Sequence, residues 1–133
     1  MTKRPDMVGE WIAFAGEDLQ AAAVLLREEI YNQSCFHSQQ CVEKILKGYL
    51  ISRGVHCPKI HDLNELFEKC VQNGLLTLLQ FKKPIAMLSL YYVPTRYPDA
   101  IIGSLPDRLP NKSDAKESLE TAQTIYQHLL NEM

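Results

Sequence analysis

The stretch Ser34-Cys35-Phe36-His37-Ser38-Gln39-Gln40-Cys41-Val42-Glu43-Lys44-Ile45-Leu46-Lys47-Gly48-Tyr49-Leu50-Ile51-Ser52-Arg53 decides the fold. On a helical wheel with His37 at the origin, Cys35, Ser38, Val42, Ile45, Leu46, Tyr49 and Leu50 fall within an arc of roughly 80–220°. Lys47, Gln40, Lys44 and His37 fall together across roughly 280–360°. One face is therefore core, and the other is a basic stripe rich in hydrogen-bonding groups. Gly54 supplies a helix stop directly after Arg53.

Other helices flank this one. Upstream, Trp11, Ile12, Ala15, Leu19, Ala22, Ala23 and Leu26 form an apolar stripe of helical period. It predicts a helix from Asp6, as N-cap, to about Arg27, with Glu10, Glu17, Asp18 and Gln20 largely off the stripe. Asn32-Gln33-Ser34 reads as the break before the next helix. Downstream, Val55 to His61 is a short loop. Asp62 then caps a third helix with Leu63, Leu66, Phe67, Cys70 and Val71 on its apolar face, closed by Gly74. Leu75 to Val93 is strongly apolar, and Pro84 inside it should start or kink a helix. Residues 95–112 hold Pro98, Gly103, Pro106 and Pro110 and cannot be helical throughout. A last helix is predicted from Ser113 or Asp114 to the C-terminus. No stretch alternates as a strand would. The expectation is one domain over residues 1–133, an all-α, antiparallel up-and-down four-helix bundle with a short additional helix.

The 133 residues carry 14 Lys+Arg against 16 Asp+Glu, a net charge of −2, which excludes a generally basic nucleic-acid binder. The charge is nonetheless segregated. Residues 34–61 and 82–112 each sum to +3, and every other segment is negative. If the two positive segments adjoin, they form a local anion site. No apolar run approaches the ~18 residues that span a bilayer, and the basic start lacks an apolar signal region. A cytoplasmic location without membrane association is expected. The four cysteines form no Cys-x-x-Cys pair, so buried free thiols are expected rather than disulfides. Cys57, His56 and His61 match no closed zinc site, and neither a metal nor another cofactor is implied.

Four blocks taken together resemble the HEPN family. They are Cys35 to Leu50; Lys59-Ile60-His61-Asp62-Leu63 at the turn into the third helix; Arg96-Tyr97-Pro98-Asp99; and Trp11 with Asp18-Leu19 and Ala22. The resemblance implies a helical bundle, frequent homodimers, association with nucleotides or RNA, and a minimal nucleotidyltransferase as partner in toxin–antitoxin pairs. Some members are metal-independent ribonucleases carrying an Arg, four to six residues, then a His. Here nine residues separate Arg27 from His37, two separate Arg53 from His56 and seven separate Arg53 from His61. That motif is absent.

The candidate ligand contacts are His37, Gln40, Lys44, Lys47, His61, Arg96 and Asp99. Lys and Arg would hold phosphate, Gln could read a base edge, and His could stack or hydrogen-bond. The bland reading of the stripe is a solvated face, with Glu43–Lys47 an ordinary i,i+4 ion pair. For His61-Asp62 it is a cap beside a loop histidine. For residues 96–99 it is a turn held by an Arg96–Asp99 pair. Tyr91 and Tyr92 read as core or dimer contacts, and His128 as a surface residue. A nucleotide- or RNA-binding module, a ribonuclease toxin with a displaced site (Arg96 for charge, His37 or His61 for proton transfer) and a pure interaction subunit all stay open. The apolar surplus in Leu75–Val93 predicts a homodimer.

Overall fold

A computed structural model describes residues 5–56, 59–92, 103–105 and 108–133. Five α-helices are present among them and no strand: α1 (Pro5–Arg27), α2 (Tyr31–Ser52), α3 (Leu63–Gln72), α4 (Lys82–Leu88) and α5 (Lys112–Glu132). The all-α expectation holds. The long helices α1, α2 and α5 pack on one another, α3 lies on α2, and the short α4 bridges α3 and α5. Two 3₁₀ segments, Leu76–Phe81 and Ser89–Tyr91, flank α4.

The helix ends follow from local chemistry. Pro5 opens α1, because its fixed φ suits a first turn. Asp6 therefore lies inside the helix and is not its N-cap. After α1 the chain reverses within three residues. Ile30 N–H donates to Leu25 O at 2.8 Å and Glu29 N–H to Leu26 O at 3.0 Å, with Glu29 in the left-handed region at φ 65°. This is the capping turn usually built on glycine. It moves the break to residues 28–30, so Asn32, Gln33 and Ser34 lie inside α2 rather than before it. The Ser34 hydroxyl donates to Ala22 O of α1 at 2.8 Å, which lets a polar residue stand buried at the crossing. Gly54 at φ 77° and Gly74 at φ 104° close α2 and α3 with the same two-bond turn.

Asp62 caps α3 as expected, accepting from Asn64 N–H at 2.9 Å. Pro84 sits in the first turn of α4, where its missing N–H costs nothing. α5 starts one residue before the predicted range. Asn111 and Asp114 bond each other's backbone N–H at 2.9 and 2.8 Å, a capping box that makes Asn111 the cap.

The apolar arc of α2 forms the centre of the core. Ile45, Leu46, Tyr49 and Leu50 are fully buried, against Leu63 and Leu66 of α3, Ile85 of α4, and Ile125 and Leu129 of α5. Each such side chain contributes about 1.5–3 kcal/mol by leaving water. Cys35, Cys41 and Cys70 are buried free thiols, and no described helix is long and apolar enough to cross a membrane.

Candidate functional site

The second arc of α2 faces two neighbours. On the α1 side, Asp18 is 7% exposed. Its carboxylate bridges two residues of α2, with Oδ1 2.7 Å from His37 Nδ1 and Oδ2 2.6 Å from Lys44 Nζ. On the α3 side, Glu43 is 3% exposed. Its Oε2 lies 3.0 Å from Lys47 Nζ and 2.9 Å from His61 Nδ1. Gln40 reaches toward the Glu43 group, donating to Gln39 Oε1 at 2.7 Å and weakly to Glu43 Oε1 at 3.4 Å. Two aromatic rings border the cluster. Lys47 Nζ lies 5.5 Å from the centre of the Trp11 ring, and the imidazole of His61 stacks parallel on Tyr92 with centroids 5.6 Å apart.

Burial works to raise the Asp18 carboxyl. The bonds from His37 and Lys44 and the charge of Lys44 outweigh it, and hold the group below its ordinary value. An ionised Asp18 can only accept, so His37 Nδ1 donates to it and Nε2 takes no part in that bond. The Glu43–His61 pair has the same form. Taking carboxylates out of water costs several kcal/mol each, and two bonds per carboxylate offset that cost here. Cys35 and Cys41 are poor nucleophiles, because burial pushes Cys35 up to about 11 and Cys41 to about 12.

Five of the seven predicted ligand residues, His37, Gln40, Lys44, Lys47 and His61, thus belong to two polar groups side by side along one face of α2, a cluster closed by Asp18 of α1 and by the turn before α3. Arg96 and Asp99 lie outside the described residues. The stripe is not a solvated face, since Lys47 is only 5% exposed. Nor are its lysines unpaired, because each is held by a carboxylate. Sequence reasoning missed Asp18, placed off the apolar stripe although its spacing from Ala15 and Ala22 sets it among the α1 residues buried where that helix packs on α2. It also missed the second bond of Glu43 and the stacking role of Tyr92. Tyr91 is core, as expected. His128 is not a simple surface residue: it is half-buried, bonded to Thr77 Oγ1 at 2.9 Å and packed edge-on against Phe81. Among the described residues no group of three His, Cys, Asp or Glu is arranged to hold a metal ion. A separate cavity of about 330 Å³ between α4 and α5, floored by Leu88, Tyr91 and Leu105, contains none of the cluster residues.

The HEPN domain family matches residues 8–133. A protein of Methanocaldococcus jannaschii named "Putative toxin MJ1304" is 35% identical over 124 residues, spanning 88% of this chain and 82% of that protein. The crystal structure of ST0689, an archaeal HEPN homologue, superposes with a TM-score of 0.71 at 30% identity, over 99% of this chain and 98% of that one. The crystal structure of TT1696 from Thermus thermophilus gives 0.75 at 27% identity, over 95% and 98%.

Proposed function

This chain belongs to the HEPN family, and we propose that it is the helical member of a toxin–antitoxin-type pair whose Asp18–Glu43 cluster takes the phosphate of a nucleotide or RNA. The observation that carries this reading is the cluster itself. Two buried carboxylates, two lysines and two histidines cost folding energy that an apolar seam would not. Buried ionisable groups gathered in this way, with the Asp18 carboxyl held low by specific partners, are candidates for a functional site. The name of the M. jannaschii relative supports the toxin–antitoxin part. The resemblance supplies the expected partner, a minimal nucleotidyltransferase. In this reading Lys44 and Arg96 hold phosphate oxygens, while Gln40 and the His61–Tyr92 stack stand where a base would lie.

The test measures short-RNA and nucleotide affinity together with melting temperature on Arg96→Ala, Arg96→Lys, Lys44→Ala and Lys112→Ala. Arg96→Ala should weaken binding by about 1.5–3 kcal/mol, the range for hydrogen bonds to charged groups. Arg96→Lys should lose part of that, as the two-pronged contact goes and the charge stays. Lys44→Ala should weaken binding too. Lys112→Ala, in the same positive segment as Arg96 but outside the motif, should bind like wild type. Rising salt should weaken binding throughout. If wild type binds neither probe, the cluster is structural and the interaction-subunit reading replaces this one.

One observation favours a second reading, catalysis: both imidazoles are oriented by carboxylates through Nδ1, the arrangement that readies a histidine for proton transfer. RNA cleavage in the presence of a chelator would establish it.

A further inference from the structure

The cavity of about 330 Å³ between α4 and α5 plays no part in the function proposed above. Close-packed proteins leave few voids larger than a water molecule, and this volume falls within the range of small-molecule sites. Its inner wall is apolar. Leu88 and Tyr91 are 2% and 6% exposed, and Leu105 lies beside them. Met87 adds a flexible thioether that adapts to the shape of an occupant. The polar groups at this depth are already engaged. The Ser118 hydroxyl donates to Cys35 Sγ at 3.6 Å. The Tyr91 phenol bonds to the same two side chains, and burial keeps it neutral. The inner end therefore offers apolar surface and no ion.

The outer side is different. Four charged side chains border it: Lys83 of α4, Arg108, and Asp114 and Glu117 of α5. Arg108 and Asp114 are occupied with each other, Nη1 to Oδ2 at 2.6 Å and Nη2 to Oδ1 at 3.3 Å. The guanidinium holds the Asp114 carboxyl below its ordinary value, so the pair stays charged and closed. Lys83 and Glu117 are both exposed, and among the described residues neither has a hydrogen-bond or ion-pair partner. One positive and one negative group thus stand unpaired beside an apolar hollow.

We infer that this cavity is a binding site for a free α-amino acid with a large apolar side chain: the side chain fills the hollow against Leu88, Tyr91 and Leu105, Lys83 takes the carboxylate and Glu117 takes the ammonium group. Charge complementarity selects the class. An aromatic acid would leave Glu117 unpaired and an aromatic amine would leave Lys83 unpaired, whereas a zwitterion pairs both. The engaged hydroxyls at the inner end set the orientation, side chain in and head group out.

The experiment is a methyl-carbon NMR titration of the full chain labelled at methionine. Met87 lines the cavity, while Met7 and Met133 lie away from it and serve as controls. The probes are L-phenylalanine, 3-phenylpropionate and 2-phenylethylamine, at one fixed pH near neutral. L-Phenylalanine should move the Met87 signal to saturation with a Kd of about 1 mM or lower, leaving Met7 and Met133 in place. The acid and the amine, each lacking one charge, should bind about two- to fivefold more weakly, as expected for one exposed ion pair. Lys83→Met should weaken L-phenylalanine by a similar factor and leave the amine unchanged. Glu117→Gln should weaken L-phenylalanine and leave the acid unchanged. Both substitutions lie on the surface, and melting curves confirm that the variants fold. No saturation by about 10 mM L-phenylalanine, shifts shared by all three methionines, or equal binding of the three probes overturns the inference. So does a pair of variants that lose both charged probes alike. None of these results bears on the proposed function, because no residue of the cavity belongs to the Asp18–Glu43 cluster.

Discussion

Asp18 ties two helices together through one carboxylate. Replacing it with Asn keeps the shape but removes the charge that Lys44 and His37 share, and should cost about 1–3 kcal/mol in denaturant unfolding. Its folded-state carboxyl is held below the ordinary value of 3.8. Its contribution is therefore complete above the unfolded value and is lost as pH falls through the lower, folded one. The stability gap between wild type and Asp18→Asn should stay flat near neutrality and close below about pH 4. Lys47→Ala addresses the other half of the cluster. It strips the buried Glu43 of its lysine partner and should destabilise by about 3 kcal/mol, far above the cost of breaking an exposed i,i+4 pair. Of this network, only the Glu43–Lys47 pair, four residues apart on one helix, was legible in the sequence. Asp18 lies 19 residues from His37 and 26 from Lys44, and nothing in local spacing says that a carboxylate beside an apolar stripe will face two residues of the next helix. The stripe of His37, Gln40, Lys44 and Lys47 was legible, because helical period alone puts those four on one side of α2.

At the scale of elements, the sequence announces turns that use glycine and conceals those that do not. Gly54 and Gly74 mark the ends of α2 and α3 openly. The turn between α1 and α2 uses Glu29 at φ 65° instead, so the polar Asn32-Gln33-Ser34 looked like the break. Glu29→Gly relieves the Cβ strain of that conformation against some lost chain stiffness. It should stabilise the protein by about 0.5–1 kcal/mol, measured by the urea midpoint. Gly103 is the opposite case. It sits at φ 75°, and a Cβ there would lie 1.8 Å from Asn32 O. The chain before α5 therefore touches the first turn of α2 at a point where no side chain fits. Gly103→Ala should lower the melting temperature by several degrees, because backbone must move to admit it.

For the molecule as a whole, the helical class was readable because every apolar pattern had helical period. The grouping of α1, α2 and α5 around one polar cluster was not, since it depends on packing between distant helices. The apolar surplus of the fourth segment divides in the fold. Leu75, Leu78, Ile85 and Leu88 enter the core, while Leu76, Leu79, Met87 and Leu90 stay exposed. The homodimer we propose on that exposed set should appear by light scattering as twice 15.2 kDa at tens of micromolar, and a monomer mass would count against it. The central claim, that the Asp18–Glu43 cluster is where this protein meets its ligand, is tested most directly by the imidazole nitrogen signals of its four histidines. His37 and His61 lie in the cluster. His56 is exposed in the loop before α3, and His128 packs on Thr77 and Phe81, so these two serve as internal controls. On titration with a hydroxyl-ended uridine hexanucleotide at one fixed pH, the signals of His37 and His61 should shift together and saturate, with His56 and His128 unmoved. Binding that leaves His37 and His61 in place, or that moves His128 instead, would contradict the account.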